Sequence, residues 1–155
     1  MRKIYIFTII MVIVVFYGCS SNTLNFSDLE PSTIVVNHDN ISAIIKENII
    51  RSSKEDITLI LENKTQYEYY YGEYFNLEIE LDNSWYKVPL DKNLDFKDLA
   101  IILKENSKSS DIIKLSKHFT NLPEGKYRIV KSLYLDDEET IIVAPFEIKN
   151  NKNIS

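Results

Sequence analysis

The stretch from Phe75 to Asp82, FNLEIELD, alternates apolar and polar side chains without a break. Successive side chains on a β-strand point to opposite faces of the sheet. The segment is therefore predicted to be a strand whose apolar face covers a core and whose charged face meets water. The apolar face comprises Phe75, Leu77, Ile79 and Leu81, and the polar face comprises Asn76, Glu78, Glu80 and Asp82.

Short apolar segments recur along the rest of the chain, each bounded by polar or turn residues. They are ITLILE from Ile57, WYKVP from Trp85, LAIIL from Leu99, DIIKL from Asp111, GKYRIVKSLYL from Gly125 and TIIVAPFEI from Thr140. About seven to nine strands at this spacing indicate an all-β fold, an antiparallel immunoglobulin-like β-sandwich. Residues 33–50 are ambiguous between a short helix and one or two strands, and their isoleucine and valine content favours strands.

Turn residues separate these segments. Asp82, Asn83 and Ser84 predict a hairpin turn, and the acidic run 136–139 predicts a second, solvated turn between two apolar strands. Glycine reaches positive φ without penalty, so Gly72 and Gly125, which precede predicted strands, are interpreted as tight-turn positions. Elsewhere, the lysine at position 131 interrupts the alternation of KYRIVKSL, which indicates either a bulge or a sheet edge.

The N-terminus has the organisation of a secretory signal. Two basic residues precede an apolar stretch of 14 residues, Ile4 to Tyr17, which ends at Gly18 and Cys19. A helix that spans a bilayer needs roughly 20 apolar residues, so this stretch is short for a permanent anchor. The alternative interpretation is an uncleaved hydrophobic anchor with a free cysteine.

The junction resembles the lipobox of bacterial lipoproteins, in which cleavage occurs before a cysteine that becomes diacylated. Gly18 matches the small residue before that cysteine, whereas Phe16 and Tyr17 depart from the family pattern. The resemblance implies that residues 1–18 are a lipoprotein signal peptide. Cys19 would then carry palmitate-type chains and hold the protein on the extracytoplasmic face of the bacterial cell membrane.

Removal of residues 1–18 leaves 137 residues, enough for one domain with its own core. We predict a polar tether over residues 19–40 and a single domain over 41–150. The signal carries two of the 18 basic residues and none of the 23 acidic ones, so the remaining chain has a net charge of −7. This charge disfavours nucleic acid as a partner. With no second cysteine, stability has to come from packing.

Several stretches together resemble a bacterial immunoglobulin-like domain family of secreted and membrane-anchored proteins. They are ENKT from Glu62, YYGEYFNLEIE from Tyr70, WYKVP from Trp85, LPEGKYRIVK from Leu122 and the terminal strand that ends in Phe146, Glu147 and Ile148. The similarity covers roughly residues 41–149. It implies a non-enzymatic fold family without catalytic residues to transfer. A fainter resemblance links the chain to small bacterial β-sandwich proteinase inhibitors.

No catalytic, metal-binding or cofactor-binding constellation is predicted. His38 and His118 lie far apart without a third ligand, whereas a zinc site takes three or four clustered ligands. Asp91, Asn93 and Asp95 resemble the start of a calcium loop. However, phenylalanine and isoleucine occupy the sixth and twelfth positions, where an EF-hand requires glycine and glutamate.

Three charged or aromatic residues receive structural interpretations. Lys126 and Arg128 flank Tyr127 and are predicted to decorate the outer face of their strand rather than to form an anion site. Trp85 lies within an apolar strand and is predicted to be a core residue rather than a ligand platform.

The segment QYEYYYGEYF, residues 66–75, holds five of the ten tyrosines. In an extended chain Tyr67, Tyr69 and Tyr71 share one face, where they either cover the open end of the sandwich or contact a ligand. Structural cover is favoured, and the three remain candidate interaction residues.

The sequence thus predicts a membrane-anchored surface lipoprotein whose immunoglobulin-like domain is a structural or protein-interaction module. Its partner would be a protein or the cell wall. The alternatives are a proteinase inhibitor, in which a loop at one end of the sandwich enters a protease cleft, and a cell-wall glycan-binding module.

Replacement of the predicted lipid-bearing residue tests the anchor. We expect the wild-type chain in a bacterial host to incorporate labelled palmitate and Cys19→Ala to lose the label, because diacylation requires the thiol. Equal labelling of the two chains would contradict lipidation at this position.

Overall fold

The computed structural model describes residues 24–36, 40–91, 96 and 99–149. They form eleven strands, a 3₁₀ turn at Phe26–Asp28 and one short helix, α1 (Leu115–His118). The strands are β1 (Glu30–Pro31), β2 (Ile41–Ile45), β3 (Ile49–Ile50), β4 (Asp56–Asn63), β5 (Tyr69–Tyr71), β6 (Asn76–Leu81), β7 (Ser84–Val88), β8 (Ile101–Leu103), β9 (Ser107–Lys114), β10 (Gly125–Leu135) and β11 (Glu138–Ile148).

The strands form two sheets, which confirms the predicted β-sandwich. The large sheet has the order β1-β7-β6-β10-β11-β3, with β5 joined to β10 and β8 joined to β5, and the small sheet has the order β2-β4-β9. All pairs are antiparallel except β3 with β11, where Ile49 lies opposite Glu147 in a parallel bridge. The strand number exceeds the prediction partly because β1 and β3 are two-residue strands, too short to show alternation.

The core lies between the sheets and follows the predicted alternation. Ile57, Leu59 and Leu61 of β4 are at most 1% exposed, as are Leu77 and Ile79 of β6. The ambiguous segment 33–50 contributes β2 and β3, so the preference for strands over a helix is confirmed in its described part.

Both predicted hairpin turns are confirmed, whereas the interpretation of the glycines is wrong. Asp82 and Asn83 have φ values of 50° and 60° in the two-residue turn between β6 and β7, and Asp136 has 52° between β10 and β11. Neither Gly72 nor Gly125 has a positive φ. Asn and Asp tolerate the left-handed region because their short polar side chains bond locally, so they take these positions.

Part of the predicted tether belongs to the domain. Within the segment 19–40, Leu24 and Leu29 pack against the core, and β1 pairs with β7 through the contact of Pro31 with Tyr86. The sequence did not predict this attachment, because the segment is mostly polar and only two leucines and one two-residue strand join it to the domain. Cys19 lies outside the described residues.

The outer face of the large sheet buries an ion pair. Glu78 on β6 lies opposite Arg128 on β10, and the Arg128 Nε donates to Glu78 Oε2 at 2.6 Å. The Glu78 side chain is fully buried and the Arg128 side chain is 11% exposed. The indole ring of Trp85 covers the guanidinium, whose carbon lies 4.4 Å from the ring centroid.

Three predictions are corrected by this arrangement. Glu78 does not face water, Arg128 is not a solvated decoration, and Trp85 is a partly buried residue of the outer face rather than of the core. Lys126 is exposed as predicted and pairs with Glu80 at 3.3 Å. Alternation specifies the face of a side chain, whereas neighbouring strands decide whether that face is covered.

Removal of Arg128 alone should lower the free energy of unfolding far more than removal of both Arg128 and Glu78. We expect Arg128→Met to lower the free energy of unfolding by about 3–5 kcal/mol, because it leaves the buried Glu78 carboxylate without its cation. The double variant Glu78→Leu/Arg128→Met should recover most of that loss, as measured by urea unfolding.

The matched control is Lys126→Met, which removes an exposed ion pair from the same strand. It should change the free energy of unfolding by about 1 kcal/mol or less. Equal losses for Arg128→Met and Lys126→Met would contradict the buried-pair interpretation.

Candidate functional site

Lys131 lies on the inner face of the central strand β10, where its neighbours on that face are Ile129 and Leu133. The residue is only 4% exposed. β10 pairs with β11 without interruption from Gly125 to Leu135, so the lysine marks neither a bulge in its own strand nor a sheet edge.

A bulge lies opposite Lys131, where the chain passes from β5 to β6. β10 pairs with β6 up to Val130, which lies opposite Asn76, and resumes pairing with β5 at Tyr134, which lies opposite Tyr70. Five residues, 71–75, therefore face three residues, 131–133. The two extra residues interrupt the regular hydrogen-bond ladder with β10, so some backbone groups of the bulge are not part of it.

The ammonium group of Lys131 bonds the carbonyl groups of this bulge. Its Nζ donates to the backbone oxygen of Gly72 and, at 2.9 Å, to that of Tyr74. The Tyr71 ring centroid lies 5.3 Å from the same nitrogen. Burial lowers the pKa of Lys131 to about 8, although the negative charges of Asp111 and Glu73 act in the opposite direction.

A pocket of about 530 Å³ opens beside this lysine, between the two sheets. Residues of β4, β8, β9, β10 and α1 line it, together with the bulge. Its apolar lining includes Leu59, Phe75, Phe96, Ile101 and Ile113, and its polar lining includes Glu73, Asp111, Lys114, Lys117, His118 and Lys131.

Two residues that line the pocket each have a fully buried polar atom without a hydrogen-bond partner. Among the described residues, three buried side-chain atoms lack one, and two of these, Asp111 Oδ2 and His118 Nδ1, belong to residues that line the pocket. His118 stacks on Phe96 with ring centroids 5.1 Å apart. Burial, together with the charge of Lys117, lowers the pKa of His118 and so favours its neutral imidazole.

The predicted tyrosine candidates do not share an exposed face. Tyr67 is 62% exposed, whereas Tyr69 and Tyr71 are 6% and 2% exposed and pack in the core. The Tyr71 hydroxyl lies 2.7 Å from Ser109 Oγ on β9, across the sandwich. Tyr69 and Tyr71 are therefore structural cover, and Tyr67 lies before β5 begins.

The middle tyrosine of β5, Tyr70, points to the opposite face and is exposed. Tyr70 on β5 lies directly opposite Ile102 on β8 and Tyr134 on β10, and the three side chains are 44%, 47% and 43% exposed, respectively. We call these three residues the outer row. At its end the Tyr134 hydroxyl donates to Glu139 at 3.2 Å.

The remaining sequence candidates are Asp91, Asn93, Asp95 and His38. Asp91 accepts a hydrogen bond from Thr120, and Asn93, Asp95 and His38 lie outside the described residues. Nowhere in the described part of the chain do three or more metal-ligating side chains cluster. Within the same ranges, no helix has the length and apolar character that crossing a membrane requires.

Sequence reasoning missed the pocket, although two signals pointed to it. Lys131 places a charged side chain among the apolar inward-facing residues of β10, and Asp111 places one two residues before the inward-facing Ile113 of β9. Such a residue needs a partner or water within the fold, so each position marks a polar region inside the sandwich.

Two sheets packed around one hydrophobic core define an immunoglobulin-like β-sandwich. A profile of the bacterial Ig-like domain family matches residues 37–150. The match covers more than half of the chain, so the protein belongs to that family and the resemblance is confirmed. No curated protein and no solved structure matches the chain.

Titration of Lys131 should make stability depend on pH. Between pH 8 and its ordinary pKa of 10.5, the unfolded chain keeps the proton that the folded chain releases, so stability rises with pH across this window. Relative to Lys131→Met, the wild type should gain on the order of 3 kcal/mol in free energy of unfolding from pH 8 to pH 10.5.

Urea unfolding at several pH values measures this difference. Lys126→Met, which removes an exposed lysine from the same strand, should show a constant difference from wild type. A constant difference for Lys131→Met as well would contradict a lowered pKa.

Proposed function

We propose that this protein is a non-enzymatic lipoprotein on the extracytoplasmic face of the bacterial cell membrane. Its Ig-like domain serves as a module that binds another protein. The lipid on Cys19 holds the domain at the membrane surface, and the polar residues that follow connect the lipid to the sandwich.

Family membership supports the role of the domain. Ig-like sandwiches serve as structural and interaction modules, and function on such a fold depends on surfaces added to it. The order of charge, apolar stretch, Gly18 and Cys19 supports the anchor.

The exposure of the outer row supports the choice of a protein as the partner. Ile102, Tyr70 and Tyr134 are direct neighbours across three strands, and each keeps more than two fifths of its surface exposed. Contiguous exposed apolar side chains mark interaction sites, and tyrosine is enriched at protein interfaces. Among the described strands β8 pairs with β5 alone, so a partner can approach the row from that edge.

Substitution in the outer row tests the proposal. The full-length protein in detergent would be used to capture proteins from solubilised cell envelopes. We expect Tyr70→Ser/Tyr134→Ser to lose at least tenfold of the captured partner, because aromatic anchors dominate interface energetics. The melting temperature would be compared in parallel.

The control is Ile44→Ser/Ile112→Ser, which removes two exposed apolar side chains from the small sheet. This variant should capture the partner as wild type does. Tyr67→Ser tests the remaining sequence candidate in the same assay. Undiminished capture by the outer-row variant, with its fold intact, would exclude this surface as the binding site.

A further inference from the structure

We propose that the free edge of β9 binds an extended peptide segment of another protein. The segment adds to the small sheet as a further antiparallel strand and carries acidic side chains at its ends. This site is separate from the outer row, because β9 belongs to the small sheet and the outer row belongs to the large one. Peptide binding at β9 therefore does not depend on the outer row.

The edge of β9 is long. β9 has eight residues and, among the described strands, pairs with β4 alone. The other edge strands, β1, β2, β3 and β8, have two to five residues each. An edge strand presents unpaired N–H and C=O groups with which another chain can pair. In the described part of the fold, β9 offers the longest row of such groups.

The hydrogen bonds of β4 identify which backbone groups of β9 are unpaired. Thr58 directs both of its backbone groups toward β2, because its oxygen accepts from Lys46 at 3.0 Å and its nitrogen donates to Glu47 at 2.6 Å. Bonding direction alternates along a strand of an antiparallel pair, so the odd-numbered residues of β4 bond β9. Their partners are the odd-numbered residues of β9.

The even-numbered residues of β9 therefore direct their backbone groups to the free edge. They are Lys108, Ser110, Ile112 and Lys114, each with one N–H and one C=O group. Within the described ranges of the chain, no hydrogen bond beyond the strand ladder uses these groups. The side chain of Ile112 is 69% exposed, as expected on a strand that has no neighbour on this side.

The pocket of about 530 Å³ borders this edge. Its lining includes the five consecutive residues 110–114, although Ser110 and Ile112 point their side chains to the outer face of the small sheet. A pocket that borders consecutive residues of a strand meets the edge of the strand as well as its inner face. An added strand therefore has space beside β9, and its inward-facing side chains would meet the apolar lining at Ile101 of β8.

Charge indicates the chemistry of the added strand. The exposed charged side chains of β9 and α1 are all basic, namely Lys108, Lys114 and Lys117. Lys108 pairs with Glu62 at 3.3 Å, whereas Lys114 and Lys117 form no ion pair with any other described residue. The chain as a whole carries a net charge of −5, so this edge is basic on an acidic protein. Carboxylates opposite the lysines complement it.

The same charges disfavour a second copy of this chain as the added strand. Two antiparallel copies of β9 that use every edge residue place Lys108 opposite Lys114 of the second copy. That register also places Asp111 opposite its own equivalent. Like charges directly opposite each other destabilise a strand pair. A different strand with acidic ends avoids both repulsions.

The acetylated and amidated peptide EVTVTVE is the probe, with its glutamates opposite the lysines and its valines facing inward. Binding would be measured by NMR on the full chain in a zwitterionic detergent. We expect saturable shifts of backbone amide signals with a Kd on the order of 100 μM, because ordering a short peptide offsets much of the bonding. The shifts should be larger at Ser110 and Ile112, whose N–H groups gain a bond, than at Ser109 and Asp111.

Matched peptides separate strand addition from other binding. The peptide KVTVTVK should bind about tenfold more weakly, because its lysines repel those of the edge. N-methylation of both threonines removes the N–H groups that face β9 and should abolish binding. N-methylation of the first and last valines removes N–H groups that face away, so this peptide should bind as EVTVTVE does.

Variants of the protein test the same edge. Ser110→Pro removes an N–H group that the small sheet does not use, so the fold should persist while the Kd rises about tenfold. Ser110→Ala keeps the N–H group and should bind as wild type does. Lys114→Glu, a change at an exposed position, should also raise the Kd about tenfold.

The outer-row variant Tyr70→Ser/Tyr134→Ser should bind EVTVTVE as wild type does, which separates this site from the function proposed above. Hydrogen exchange of the free protein tests whether the edge is open. The amides of Ser110 and Ile112 should exchange faster than those of Ser109 and Asp111 at low and at high protein concentration.

Three results would overturn the proposal. The first is the absence of saturable shifts with EVTVTVE. The second is equal binding of the peptide whose threonines are N-methylated. The third is slow exchange of the Ser110 and Ile112 amides in the free protein; if it appears only at high protein concentration, a second copy is the strand that covers the edge.

Discussion

The bonds from the Lys131 ammonium to carbonyl groups of the bulge at residues 71–75 are the constraint around which the large sheet is organised. β10 pairs first with β6 and then with β5, and the bulge is the point where the chain changes from one partner region to the other. A cation on the inner face supplies donors to the Gly72 and Tyr74 carbonyl groups, which the bulge displaces from the regular ladder. A shorter or apolar side chain would leave buried acceptors unsatisfied.

The same constraint opens the interior of the sandwich. A buried cation requires polar surroundings, and Asp111 on β9 and Glu73 in the bulge provide negative charge close to it. With polar groups at this position, the sheets do not close into a dry core, and a pocket forms between β10 and β9. The outer row lies on the other side of the same strands, so one short segment contributes to two surfaces with different chemistry.

The strands and hairpin turns could be predicted because they depend on local pattern. FNLEIELD alternates, and Asp82 and Asn83 readily adopt positive φ, so both the strand and its turn follow from neighbouring residues. The burial of Glu78 could not be predicted, because it depends on Arg128 fifty positions away and on the ring of Trp85. For the candidate site, the residue types were visible in the sequence, but their convergence required the register between strands.

The amino-acid sequence by itself determined the family, the sandwich class and the alternation that builds the core, because these features repeat within a few residues. The tertiary structure alone decided which tyrosines are accessible. A two-residue period assigns Tyr69 and Tyr71 to one face and Tyr70 to the other, but only the position of the small sheet makes the first face the buried one. It also decided that Lys131, which interrupts the pattern of its own strand, bonds a bulge on the strand opposite, because such bonds join residues about sixty positions apart.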